Sequence, residues 1–140
     1  MKASLLIPAA VVSGLFVAFV LVVAMELFSA VVHPVPEDFG GTMEEMCLHV
    51  QRYPHWVLAV AVLAWSATAL VSTWIAQRIG NSYSSVIVGV VLLAALVFNI
   101  SQLPYPLWFK IVNLLVVPAA IVAGSRLSIR HTTAATVEAN

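Results

Sequence analysis

Four long apolar blocks, separated by short polar or proline-marked breaks, constrain this chain more than any other feature of it. Each block has about 20 residues or more, the length an α-helix needs to cross a bilayer core of about 30 Å. Charged residues make up 9% of the chain and hydrophobic residues 62%. A soluble domain carries about a quarter of its residues as charges. Charge this sparse cannot coat a water-facing surface, so the solvent that fits is lipid. The expected fold is all-α: an integral membrane four-helix bundle with a short capping helix or loop on the outer side.

The first span is read over Leu5–Val32, with Pro8 in its first turn, where a missing N–H costs little. It could reach roughly 40 Å at 1.5 Å per residue, so it either tilts or projects. Lys2 gives it a positive start, but the apolar run exceeds the roughly 7–15 residues of a signal peptide. It is therefore read as a retained span. His33-Pro34-Val35-Pro36 ends it, because proline lacks the N–H and restricts the residue before it. The other spans are expected over Trp56–Ala76, Tyr83–Leu103 and Leu107–Leu127, with the turn Gln77–Asn81 and the break Pro104-Tyr105-Pro106 between them. Residues 1–130 then form one transmembrane domain, and His131–Asn140 a short, polar, frayed cytoplasmic tail.

Between the first two spans, Glu37–His55 is the one substantial polar segment before the tail. Thr42 and Glu45 stand at capping-box spacing, which predicts a helix over Met43–Arg52 ended by Tyr53-Pro54. Met43, Met46, Cys47 and Val50 fall at helical spacing and would face the bundle or the interface. Lys2, Arg78, Arg126 and Arg130 fall on one side of the membrane; Arg52, Lys110 and the loop acids fall on the other. The positive-inside rule makes the first side cytoplasmic and places both termini there, in an inner (plasma) membrane. Tyr53, Trp56, Tyr105 and Trp108 are expected as an outer aromatic belt, and Trp74 and Tyr83 as the inner one.

Glu26 is the most informative single residue. It lies within an apolar helix about two turns from His33, and an ionised side chain there costs up to about 2.5–3.5 kcal/mol at the membrane centre. Protonation, pairing or contact with water can offset that. One reading is a proton- or ligand-binding carboxylate with a raised pKa; the other is an interhelical hydrogen bond. Asn99 and Asn113 fall at a similar depth in antiparallel spans, with His33 and Gln102 slightly above. The candidate binding set is therefore Glu26, His33, Asn99 and Asn113. The competing explanation is packing glue, worth about 0.6 kcal/mol per interhelical hydrogen bond.

Other polar residues carry less. Glu45 and His49, at i,i+4, with His33 and His55 near in sequence, suit a metal on paper, but a solvated helix face explains them better. Ser66, Thr68, Ser72 and Thr73 are expected to bond their own i−4 carbonyls or let helices approach. Ser85 and Gly89 form a small-xxx-small pair, and Pro118 is expected to kink the fourth span. The single cysteine, Cys47, excludes an intrachain disulfide and a Cys cluster. Six basic and six acidic residues cancel, leaving no nucleic-acid footprint. No phosphate loop, catalytic triad or cofactor motif is present, so no cofactor and no catalytic residue are expected. The partners expected are the lipid bilayer and a second copy of the chain or another membrane protein.

Ala24-Met25-Glu26-Leu27-Phe28-Ser29 closing on His33-Pro34-Val35-Pro36 resembles the first-span ending of an uncharacterised family of small bacterial four-span membrane proteins. Leu103-Pro104-Tyr105-Pro106-Leu107-Trp108-Phe109 and Pro118-Ala119-Ala120 through Gly124-Ser125-Arg126-Leu127 are similar to their later span ends. The resemblance covers most of the chain and implies a four-span fold without an activity. Small multidrug transporters share the size and a first-span carboxylate, but theirs sits mid-membrane whereas Glu26 is near a span end. Two functions are therefore expected in turn: a non-enzymatic structural or accessory membrane subunit, or a small proton-linked transporter or ligand-binding protein that uses Glu26.

Overall fold

The computed structural model describes residues 3–138 and, of their side chains, those of residues 6–127. The described chain is all-helical: α1 (Ala3–Val32), α2 (Met43–Gln51), α3 (His55–Ile79), α4 (Ser82–Gln102) and α5 (Leu107–Glu138). In α1, α3, α4 and α5 the segments Leu6–Val32, His55–Ile79, Ser82–Gln102 and Leu107–Leu127 are long and apolar enough to cross a bilayer. Their outward faces carry Phe16, Phe19, Leu63, Val90, Phe98 and Leu115, all exposed. Such faces suit lipid and not water, and the protein is a multi-pass membrane protein.

Turn chemistry sets the ends. Thr42 caps α2 through the full capping box: its Oγ1 accepts from the Glu45 N–H at 3.2 Å, and its own N–H donates to Glu45 Oε2 at 3.0 Å. Those hydrogen bonds hold the Glu45 carboxyl below its usual range. Asn81 caps α4, its Oδ1 accepting from the N–H groups of Tyr83 and Ser84. Of those α2 residues at helical spacing, Val50 is buried and Cys47 half-buried, whereas Met43 and Met46 are exposed. At the other end of the chain, α5 continues past Arg130 to Glu138. The expected frayed tail is thus a helical extension, and Ala139 and Asn140 lie outside the described residues, as does Lys2.

α3 is the hub. α1, α4 and α5 all pack on it, and α4 also touches α1 and α5, while no contact joins α1 to α5 among the described residues. Small residues let the backbones approach, since van der Waals packing drives association where lipid is as apolar as the side chains. Ala10, Gly14 and Ala18 form an inward stripe on α1 at i,i+4 spacing. A Cβ on Gly14 would lie 3.0 Å from the Ser72 carbonyl oxygen. Hydroxyls tie the same half together. Ser85 Oγ donates to the Thr73 carbonyl at 3.1 Å and pairs with Ser125 Oγ at 2.5 Å. Ser66, Thr68 and Thr73 donate to their i−4 carbonyls, as expected of hydroxyls in a span. Ser72 does not: its Oγ is buried without a partner.

Beyond Ala18 the α1 contact changes. No residue from Phe19 to Phe28 is buried, and α1 meets the rest of the protein closely again at buried Ser29. There Ser29 Oγ and Tyr53 OH share a 2.5 Å hydrogen bond. Between Ala18 and Ser29 the helix touches the core only through part-buried residues such as Met25, and an opening lies beside them. Glu26 lies in that interval.

Candidate functional site

The opening is a cleft of about 190 Å³, with walls from all four long helices: Val22 and Glu26 of α1, Trp65 and Thr68 of α3, Leu96 and Asn99 of α4, and Val117 of α5. Most of its lining is hydrocarbon or indole. Three polar side chains face it, and they differ in what they have left to offer. Thr68 Oγ1 already donates to the Ala64 carbonyl at 2.8 Å, so only its lone pairs remain. Asn99 Oδ1 is buried with no partner. Glu26 is exposed to the cleft. A buried amide oxygen without a partner and a carboxylate on the same cleft can each accept from a hydrogen-bond donor.

Of the four residues expected to converge, two do. Glu26 and Asn99 share the cleft. Asn113 is fully buried on α5, where its Nδ2 donates to the Phe109 carbonyl at 2.9 Å and its Oδ1 has no partner. It does not line the cleft. His33 lies at the α2 end, its ring stacked on His49 at 4.4 Å between centroids and tilted against Tyr53 at 4.5 Å. Trp65 and Thr68 are the cleft residues that sequence reasoning missed. Thr68 is legible in the sequence as a span hydroxyl that bonds its i−4 carbonyl or lets helices approach, and it does bond the Ala64 carbonyl.

The α2 end also corrects one surface expectation. Glu45 is engaged by Thr42, and His49 is buried against His33, Phe39 and Tyr53, so His49 belongs to no solvated face. Of the expected outer belt, Tyr53, Tyr105 and Trp108 are half-buried and packed on other rings of the bundle. Tyr53 packs on the histidines, Tyr105 on Phe109, and Trp108 stacks on His55 at 5.9 Å; of the four, Trp56 is exposed. At the opposite end the Arg78 guanidinium lies 5.6 Å from the Trp74 ring centre.

Burial first, then the neighbouring charges of His33 and Arg52, push the His49 pKa below its ordinary value of 6.5. Its folded pKa is depressed, so its contribution to holding α2 is present above pH 6.5 and is lost as pH falls through the lower folded value. Acidification is therefore expected to separate the His33–His49 stack before the bundle unfolds. Ring proton shifts of both histidines, followed by NMR against pH, check this. A His49 that titrates at or above 6.5 contradicts it.

No family model, curated protein or solved structure matches the chain. What the protein does is read from the cleft itself.

Proposed function

We propose that this chain is a non-enzymatic membrane protein that binds an apolar ligand bearing a cationic or hydrogen-bond-donating group. The observation that carries the reading is that Glu26 and Asn99, whose buried Oδ1 has no partner, line one otherwise apolar cleft. The indole of Trp65 adds a face on which a cation can rest. Charge bias supports both termini on the cytoplasmic side, with α2 and the Glu26 end outward.

The test uses purified protein in nanodiscs, with dodecylamine as the probe and dodecanol as the uncharged control of equal chain length. Quenching of tryptophan fluorescence, read against a Trp65→Phe variant, reports occupancy. A hydrogen bond to a charged partner is worth about 1.5–3 kcal/mol, so Glu26→Gln is expected to weaken amine binding by roughly 10- to 100-fold. Dodecanol binding should change far less. Equal affinity of wild type and Glu26→Gln for the amine would reject the site.

One observation favours a second reading, an accessory subunit that docks a further helix or a second copy. α1 leaves Val12, Phe16, Phe19 and Leu27 exposed and has no contact with α5 among the described residues. On this reading Glu26→Gln leaves co-purification of the partner intact, and Phe16→Ala with Phe19→Ala reduces it.

A further inference from the structure

Glu26 borders two spaces. Besides the cleft it lines a small cavity of about 30 Å³ towards the α2 end, together with Ser29, Tyr53 and Tyr105. That volume has room for one water, which needs about two to four polar partners. Glu26, Ser29, Tyr53 and Tyr105 are those partners. Hydrocarbon and indole from Met25, Val57, Leu58, Ala61, Trp65 and Phe109 close the rest.

Tyr53, in the link between α2 and α3, reaches this cavity from the α2 end. Ser29 Oγ and Tyr53 OH lie 2.5 Å apart, and either can donate. The Tyr53 ring in turn lies 4.5 Å from the His33 ring and 5.3 Å from the His49 ring, between centroids. His33 is half-buried at the end of α1. Among the described residues no other hydroxyl pair lies at a cavity that Glu26 lines.

We infer that Ser29 and Tyr53, with one water in the small cavity, form a proton path between Glu26 and the α2 end of the protein. The inference rests on the cleft reading only for its purpose, which is to link ligand occupancy to protonation of Glu26. Each hop is balanced. Tyr53 oxygen takes a proton from water at the His33–His49 mouth as Tyr53 passes its own to Ser29 Oγ. Ser29 releases its hydroxyl proton to the cavity water, and that water delivers one to the Glu26 carboxylate. One proton moves inward, no bond other than O–H is made or broken, and every relay group is restored once its hydroxyl turns back.

The surroundings fit this traffic. The groups facing Glu26 are Tyr53 and Tyr105 from the loops, Trp65 and Thr68 from α3, Asn99 from α4, and Val117 and Phe109 from α5. Burial, then the nearby charges of Tyr53 and Glu26, push the Tyr105 pKa up, so that its hydroxyl stays a donor to the cavity. At the mouth, His49 faces His33, Arg52, Phe39 and Tyr53.

The experiment needs no ligand. Full-length protein in lipid bilayers is jumped from mildly alkaline to mildly acidic pH, and the growth of the protonated Glu26 carboxyl band is timed by infrared spectroscopy. Glu26→Gln identifies the band. Removing a positioned proton carrier typically costs on the order of a hundredfold in rate, and Tyr53→Phe should slow the band by about that much. Ser29→Ala should do the same, and it decides the matter if Tyr53→Phe does not fold. Wild-type rates in both variants, or a Glu26 band that never titrates, would overturn the path. Slowed bands combined with no binding of dodecylamine would keep the path and remove the cleft reading.

Discussion

Gly124→Val is expected to prevent assembly of the bundle, and Gly124→Ala to weaken it severely. A Cβ at position 124 would fall on the Leu70 carbonyl oxygen and on Thr73 Oγ1 of α3, with the Leu70 carbonyl carbon at 3.1 Å. Two of these are backbone atoms, and a backbone carbonyl cannot rotate aside. Gly89 is a useful contrast: its Cβ would meet Ile121 Cγ2 at 2.7 Å, the end of a side chain that has other rotamers. Overpacking typically costs about 1–3 kcal/mol, and the upper end applies where the obstacle is rigid.

The damage at Gly124 also spreads. Thr73 Oγ1 donates to the Ala69 carbonyl and reaches the Ile121 carbonyl of α5 at 3.4 Å. Ser85 ties the Thr73 carbonyl to Ser125. Moving α5 away from α3 breaks the Thr73–Ile121 bond and strains the Ser85–Ser125 link through α4, at about 0.6 kcal/mol for each interhelical bond lost. Gly124→Ala is thus expected to lose roughly 2–4 kcal/mol in mixed-micelle unfolding. Gly124→Val should elute as aggregate on size exclusion. Gly41→Ala is the matched control: Gly41 has φ +78° in a loop with nothing near its missing Cβ, so its cost is local backbone strain of about 1–3 kcal/mol. A Gly124→Ala protein as stable as wild type would show that the two helices are not held as closely as their geometry states.

Composition and breaks made the spans legible, because the lengths of apolar runs and the positions of prolines are one-dimensional facts. Pro34, Pro54 and Pro104 each lie between helices, and the Thr42–Glu45 spacing forms the capping box it predicts. Position along each span was legible as well, and Glu26 and Asn99 do line one cleft. Which way a residue turns around its helix axis was not. A span that is apolar on every side has no stripe from which to read its inward face, so nothing in the sequence says that Asn113 is absent from the lining that Glu26 and Asn99 share. His33 was assigned by height too, without the α2 loop that draws it to His49 and Tyr53. The aromatic residues were ambiguous for a related reason. A tyrosine or tryptophan near a span end suits an interface belt and an internal cluster equally well, and Tyr53, Tyr105 and Trp108 pack on other rings of the bundle. The Ser29–Tyr53 pair, 24 residues apart, had no local signal at all.

Phe109→Ala is expected to lower stability by roughly 2–4 kcal/mol and to disturb the cleft at the same time. Phe109 is fully buried. Its ring is packed by Tyr105 at 4.7 Å, Trp65 at 5.4 Å and Trp108 at 5.8 Å between centroids. In water such a truncation loses both transfer energy and packing, about 3–5 kcal/mol. In a bilayer the unfolded reference is already in hydrocarbon, so the packing part dominates and the expected loss is smaller. What makes the substitution informative is Trp65, which leans on Phe109 and also walls both the cleft and the small cavity. Without that support the indole gains freedom, the cavity widens, and dodecylamine affinity should fall along with stability. Phe109→Leu keeps most of the volume and should recover the affinity while restoring only part of the stability. Unfolding in mixed micelles and Trp65 quenching, measured on both variants, separate the two effects. If Phe109→Ala unfolds like wild type, the aromatic cluster does not hold the α2 end of the bundle, and the position of Trp65 must be fixed by the backbone of α3.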